Sequence, residues 1–200
     1  MSAWLSVISM IVAAAASGSV KVPATGTSEI VPDGRIAGAE WSDATRVSLG
    51  EGVTLVIKAN DDQIAIAVKT AARGPEFTDL YVSAADGQIW NLHVEKETSE
   101  RKLTGATWTA TDPAFVPYNN ANWQANVVEL KSNADPSAPM AKQVKQYDGQ
   151  EFLISRSQFA GKQWHLRVEV HDLAQEKPDL VYPATSDPHD TSGWATIALP

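Results

Sequence analysis

The chain has 200 residues, of which 44% are hydrophobic, and its 16 basic and 24 acidic residues give a net charge of −8. This length suits one domain, and an acidic chain without a cluster of Lys and Arg is a poor partner for nucleic acid or anionic lipid. Because the chain contains no cysteine, it has no disulfide or lipid-attachment site, and the hydrophobic core stabilises the fold unaided.

Residues 1–20 have the pattern of a secretory signal peptide. They contain no charged side chain, are largely apolar from Trp4 to Ala16, and end in small residues. The lack of a basic residue near Met1 leaves an uncleaved anchor or a first β-strand as alternatives. A signal peptide predicts a secreted or periplasmic protein with no membrane attachment after cleavage. The domain then comprises residues 21–200, in which 21–32 form a linker or an edge strand.

Residues 33–70 predict a turn, a buried tryptophan and three strands. Trp41 is expected to anchor the core, and residues 45–49 alternate as a strand does. Residues 53–58 and 64–69 alternate with period 2 on either side of a polar turn at 60–63, which is typical of an antiparallel hairpin. One face of this hairpin is apolar throughout, so a second layer is expected to cover it.

The remainder of the chain predicts further short strands and almost no helix. A second hairpin is expected at 79–84 and 88–94, and single strands at 150–155, 163–172 and 194–199. Residues 95–102 are charged and predict a solvated bend, and residues 104–126 predict mainly loops. Residues 123–130 predict a further strand, and residues 138–147 a short helix. Seven to nine strands with frequent turns favour a two-layer antiparallel β-sandwich, jelly-roll-like in form, with a barrel as the alternative.

Four segments, in this order, carry a family resemblance. They are DGRIAGAEWSDA at 33–44, NDDQIAIAVKT at 60–70, YDGQEFLISRSQFAG at 147–161 and SGWATIALP at 192–200. Their order resembles that of the family 9 carbohydrate-binding modules and their DOMON-like relatives. The resemblance implies a secreted β-sandwich that binds a ligand without transforming it. The sequence departs from the pattern at 64–66, where an aromatic residue is common, and at 95–147, which has no counterpart.

A sugar-binding module needs aromatic planes for stacking and amides for the hydroxyl groups. The segment 108–124 supplies both and predicts a ligand site on loops formed by Trp108, Tyr118, Asn119, Asn122, Trp123 and Gln124. The alternative is that Trp108 and Trp123 plug the core. The resemblance makes Trp90 a further candidate plane, although its alternation with apolar neighbours favours the core. The predicted function is therefore non-catalytic binding of a neutral glycan, and the alternative is a structural or protein-interaction domain.

Polar residues also alternate along the strand predicted at 163–172. His165, Arg167, Glu169 and His171 share one face and could line a groove with Asn91, His93 and Glu95. An antiparallel sheet commonly leaves one face in water, and this solvated face is the favoured interpretation.

No residues predict catalysis or a bound cofactor. The sequence lacks the GxSxG, HExxH and phosphate-loop motifs. A structural calcium ion near Asp33 or Asp61 and Asp62, or a metal ion near His189, would lack a dedicated ligand spacing, so turn formation is the simpler role of these residues. A haem-binding relative would need Met140 and a histidine as axial ligands.

Overall fold

The computed structural model describes residues 19–24, 30–36, 38–71, 73–74, 76–111 and 122–200. In this part of the chain two β-sheets pack face to face, which confirms the predicted all-β sandwich. The predicted signal peptide falls largely on residues 1–18, which lie outside the described residues. Within the described ranges no helix has the length and apolar character needed to cross a membrane.

The strands, in chain order, are β1 (Ser19–Lys21), β2 (Thr45–Gly50), β3 (Val53–Ala59), β4 (Gln63–Lys69), β5 (Glu76–Ser83), β6 (Ile89–Val94), β7 (Thr98–Thr104), β8 (Thr107–Ala110), β9 (Trp123–Ala125), β10 (Gly149–Ser155), β11 (Gln163–Asp172), β12 (Leu180–Tyr182) and β13 (Ala195–Ala198). The larger sheet has the order β1-β13-β11-β5-β6-β7-β8, and β12 also pairs with β11. The smaller sheet has the order β2-β3-β4-β10-β9. The helix α1 (Met140–Gln143) is a single turn.

The two predicted hairpins are confirmed as β3–β4 and β5–β6. Asn60 forms the first turn, because its side-chain oxygen accepts from the backbone N–H groups of Asp62 and Gln63 at 2.9 and 2.8 Å. Side chains at alternate positions of these strands and of β11 fill the space between the sheets. Leu55, Ile57, Leu80, Leu166 and Val168 in this core are fully buried.

The predicted bend at 95–102 is wrong, because β7 occupies most of it. Sequence alternation misses this strand because both of its faces are polar. Glu100 and Lys102 point toward the sandwich interior, where the carboxylate of Glu100 accepts from the indole of Trp123 at 2.9 Å and the Lys102 amine lies 5.6 Å from the Trp90 ring centre.

Other boundaries differ from the predictions in smaller ways. The segment 104–126, predicted mainly as loops, contains β8, whereas β9 lies within the strand predicted at 123–130. The helix predicted at 138–147 is reduced to α1. Residues 30–31 of the predicted edge strand are not in a strand. The edge strand is instead β1, which pairs in parallel with β13.

Residues 30–36 and 38–44 cover the outer face of the smaller sheet. Ile36 and Trp41 are fully buried there against Val56 and Ala67, so the prediction of Trp41 as a core anchor is confirmed. The carboxylate of Glu151, on β10, holds this segment in place. It accepts from the Trp41 indole at 2.8 Å and from the backbone N–H groups of residues 33 and 34. Burial raises the pKa of Glu151, although these donors oppose the shift.

We expect Glu151→Ala to lower the free energy of unfolding by about 3 kcal/mol, because several buried donors lose their acceptor. Glu129→Ala is the matched control: it removes a half-exposed carboxylate that pairs with Lys145 at the surface, so the loss should stay below about 1 kcal/mol. Urea unfolding followed by circular dichroism measures both. Equal losses in the two variants would contradict the anchoring role of Glu151.

Candidate functional site

The outer face of the larger sheet carries a network of polar side chains, which we call the polar face. Cross-strand pairing places Arg101, Asn91, Tyr81 and Arg167 in one row and Ser99, His93, Asp79 and Glu169 in the next. His171 follows on β11. Much of this face is buried: the exposed fraction is 0% for Asn91, 3% for Arg167 and 6% for Asp79. The interpretation of a solvated face is therefore wrong for Asn91 and Arg167, whereas the other residues predicted on this face, His93, Glu95, His165, Glu169 and His171, are partly exposed.

Asp79 lies at the centre of the polar face. Its oxygen Oδ1 accepts from the Asn91 amide at 2.8 Å and lies 3.1 Å from His93 Nδ1, while Oδ2 lies 3.1 Å from His171 Nε2. Burial by itself would raise the pKa of Asp79, but the hydrogen bonds from His171, His93 and Asn91 outweigh it and hold the pKa well below its usual range. The carboxylate is thus ionised and fully partnered.

His171 joins the network to a second carboxylate. Its Nδ1 lies 3.0 Å from Asp179, and Phe77 stacks on its ring with 4.5 Å between the ring centres. Burial disfavours the imidazolium, but hydrogen bonding and charge from Asp79 and Asp179 outweigh burial and raise the pKa of His171. Glu169 lies 3.7 Å from the same imidazole and adds a third negative neighbour.

Glu169 and Arg167 lie on β11, at the edge of the polar face away from Arg101 on β7. Glu169 accepts from the Arg167 guanidinium and, at 3.0 Å, from the Tyr81 hydroxyl. The Nε of Arg167 donates to the backbone and side-chain oxygens of Ser186, both at 3.1 Å. Ser186 belongs to residues 183–194, which fold back over this end of the sheet. Because these residues cover Arg167, its guanidinium is buried.

An aromatic cluster adjoins the polar face. The ring of Tyr81 lies 5.7 Å from that of Trp108 and 6.1 Å from that of Trp194, centre to centre. Trp194 is buried and donates to the backbone oxygen of Asp187 at 2.7 Å. Trp108, on β8, is partly exposed, with Arg101 at 5.9 Å and the His189 ring at 5.7 Å from its centre. Trp108 thus contacts the Tyr81 ring, the Arg101 guanidinium and the His189 ring while part of its side chain stays exposed.

Two groups of side chains have the composition of metal ligands. The ligand atoms of Asp79, Glu169 and His171 lie within 4.8 Å of one another, as do those of Asp33, Glu40 and Glu151. In the first group Arg167 and Arg101 lie at ion-pair distance from the carboxylates, and their positive charge disfavours a cation. In the second group, the oxygens of Glu151 already accept the three hydrogen bonds described above.

The predicted sugar-binding residues do not form one site. Trp123 is 4% exposed and stacks on Phe152 in the core, so its ring has no open face for a ligand, as the alternative interpretation expected. Trp90 packs edge-to-face on Phe159 at 5.7 Å, on the inner side of the larger sheet. Tyr118 and Asn119 lie outside the described residues. Trp108, in contrast, is partly exposed and lies beside Tyr81 of the polar face.

Asn122 and Gln124 lie at the edge of the smaller sheet. Both are partly exposed, and Gln124 lines a shallow cleft of about 390 Å³ with Asn126, Glu129 and Tyr147. A neighbouring cleft of about 550 Å³ shares Glu129 and Tyr147. These clefts lie on the opposite side of the sandwich from the polar face.

Sequence analysis missed several members of the candidate site. Asp79, Tyr81, Arg101 and Trp194 were not among the predicted ligand residues, although Asp79 and Tyr81 alternate with the apolar residues of β5. The polar residues at alternate positions of β5, β6 and β11 indicated a shared polar face. The pairing of these three strands, which the sequence does not give, places the residues in one network.

Comparisons with known protein families, curated proteins and solved structures find no match to this chain. The resemblance to family 9 carbohydrate-binding modules therefore stays a prediction from the four sequence segments.

The charge network predicts a pH-dependent contribution to stability. Because folding raises the pKa of His171, its contribution is fully present below the unfolded pKa, near 6.5, and is lost as the pH rises through the raised value. Asp79 stays ionised throughout this window, since its own pKa is lowered. His171→Gln should therefore destabilise the protein more at pH ~5.5 than at pH ~9, by about 1 kcal/mol.

Urea unfolding at the two pH values measures this difference. His189→Gln is the control, because it removes a half-exposed imidazole at the protein surface and should change the free energy of unfolding by less than about 0.5 kcal/mol. An equal effect of His171→Gln at both pH values would show that the ion pairs of His171 do not stabilise the fold.

Proposed function

We propose that the protein is a non-catalytic carbohydrate-binding β-sandwich in which a sugar ring stacks on Trp108 beside the polar face. One observation carries this proposal: Trp108 is partly exposed, with the Arg101 guanidinium over its ring and the His189 ring 5.7 Å away. A secreted or periplasmic location is part of the same proposal and rests on residues 1–20.

The surroundings of Trp108 suit a sugar. An indole plane buries the C–H face of a pyranose ring, and polar groups at its border bind the hydroxyls. The Tyr81 ring supports the indole from behind, and the Arg101 side chain is held by Asn91. A site fixed before binding loses little conformational entropy when the ligand arrives.

A protein-interaction role has less support. Such a surface would display a broad apolar patch, whereas the large hydrophobic side chains that are well exposed in the described ranges are Val31 and Leu130. Val31 lines the cleft beside Tyr147, away from the aromatic cluster. That cleft is a second place where a sugar could bind, and it supplies the comparison variant for the test.

Calorimetric titration of a panel of mono- and oligosaccharides tests the proposal. For any sugar that binds, Trp108→Ala should weaken the affinity at least about tenfold, the equivalent of about 1.4 kcal/mol, because the stacking plane is lost. Tyr147→Ala should leave the affinity unchanged. Circular dichroism of each variant checks that the fold is retained.

Two results would contradict the proposal. The first is the absence of binding by every glycan in the panel. The second is loss of binding in Tyr147→Ala but not in Trp108→Ala, which would move the ligand to the cleft on the smaller sheet.

A further inference from the structure

We propose that the sugar bound at Trp108 carries a carboxylate, as uronic acids do, and that Arg101 is the residue that selects it. This inference rests on the proposed function and names the class of ligand.

Arg101 is held in a fixed orientation beside the aromatic plane. Its Nε and NH2 groups donate to Asn91 Oδ1 at 3.0 and 2.7 Å. The Asn91 amide is in turn fixed by its hydrogen bond to Asp79, and its side chain is completely buried. One edge of the guanidinium is therefore occupied, while 43% of the side chain stays exposed. The remaining N–H groups, at the end of the fork, have the geometry that binds a carboxylate through two parallel hydrogen bonds.

Among the described residues of the polar face, Arg167 has a buried donor group without an acceptor. The oxygens of Asp79 and Glu169 accept from neighbouring side chains, as described above. In contrast, the NH1 group of Arg167 is buried and has no acceptor among the residues that the structure describes. The Arg167 guanidinium lies 4.8 Å from the Tyr81 ring centre, and Tyr81 contacts Trp108. The donor that a ligand can reach here is the partly exposed guanidinium of Arg101, so a ligand that supplies acceptor atoms complements this face better than one that supplies donors.

The local chemistry thus differs from the charge of the whole chain. A net charge of −8 led to the expectation of a neutral glycan. Binding, however, depends on the groups within a few ångströms of the ligand, since charges beyond about 10 Å are largely screened at ordinary ionic strength. Over the Trp108 ring lies the cation Arg101, whose NH2 group is also 3.8 Å from the buried carboxylate of Asp79. The exposed charge that a ligand meets beside Trp108 is that of the guanidinium, since Asp79 is only 6% exposed.

Calorimetry with the full chain compares glucuronic acid with its neutral methyl ester, which keeps the same ring. The acid should bind about tenfold more tightly at low salt, since a charge-assisted pair of hydrogen bonds replaces a neutral contact. This preference should weaken as the salt concentration rises. The same pair of probes made from galacturonic acid tests whether the preference follows the carboxylate or the ring.

Variants identify the residue. Arg101→Met should abolish the preference for the acid, and Arg101→Lys should reduce it, because lysine keeps the charge without the fork. Lys102→Met is the matched control: it removes one positive charge from the next position of the same strand, where the amine lies over Trp90 on the inner face. It should leave the preference intact. Thermal unfolding of each variant verifies that the fold is retained.

The outcomes separate this inference from the proposed function. Equal binding of acid and ester would overturn the inference and leave sugar binding at Trp108 intact. A preference that survives in Arg101→Met would overturn the role of Arg101. If none of these probes and no neutral glycan binds, the proposed function itself fails and the inference fails with it.

Discussion

The buried carboxylate of Asp79 is the constraint on which the polar face of the larger sheet depends. An ionised carboxylate withdrawn from water is costly unless neighbouring groups donate hydrogen bonds to it. Asp79 obtains these donors from Asn91 and His93 on β6 and from His171 on β11. Because the donors lie on strands on both sides of β5, they fix one another's side chains. Asn91 in turn accepts two hydrogen bonds from Arg101 and so fixes the guanidinium beside the partly exposed Trp108.

Glu151 has a comparable role on the other side of the sandwich. It accepts from Trp41 and from the turn at residues 33 and 34, and so fastens the N-terminal segment over the smaller sheet. An antiparallel sheet often leaves its outer face in water. Here both outer faces are partly covered. Glu151 holds the N-terminal segment over the smaller sheet, and Arg167 holds the segment around Ser186 over the larger one.

Alternation in the sequence was sufficient to predict the hairpins β3–β4 and β5–β6 and the strand β11, because one face of each is apolar. It could not identify β7, whose two faces are polar, nor distinguish a solvated polar face from a buried one. That distinction depends on partners far apart in the chain, such as Tyr81 and Glu169, which are 88 residues apart. For the same reason the sequence could not separate Trp123, which packs in the core, from Trp108, which borders the polar face.

Titration of isotope-labelled protein with glucuronate, followed by NMR, tests most directly whether Trp108 and Arg101 contact the ligand. Each indole N–H group gives its own signal, and three of the tryptophans, Trp41, Trp123 and Trp194, donate hydrogen bonds within the protein. We predict that the signals of Trp108 and Arg101 shift in proportion to binding while those three indoles stay unchanged. Shifts confined to Gln124 and Tyr147, or no shift at any ligand concentration, would contradict a ligand site beside the polar face.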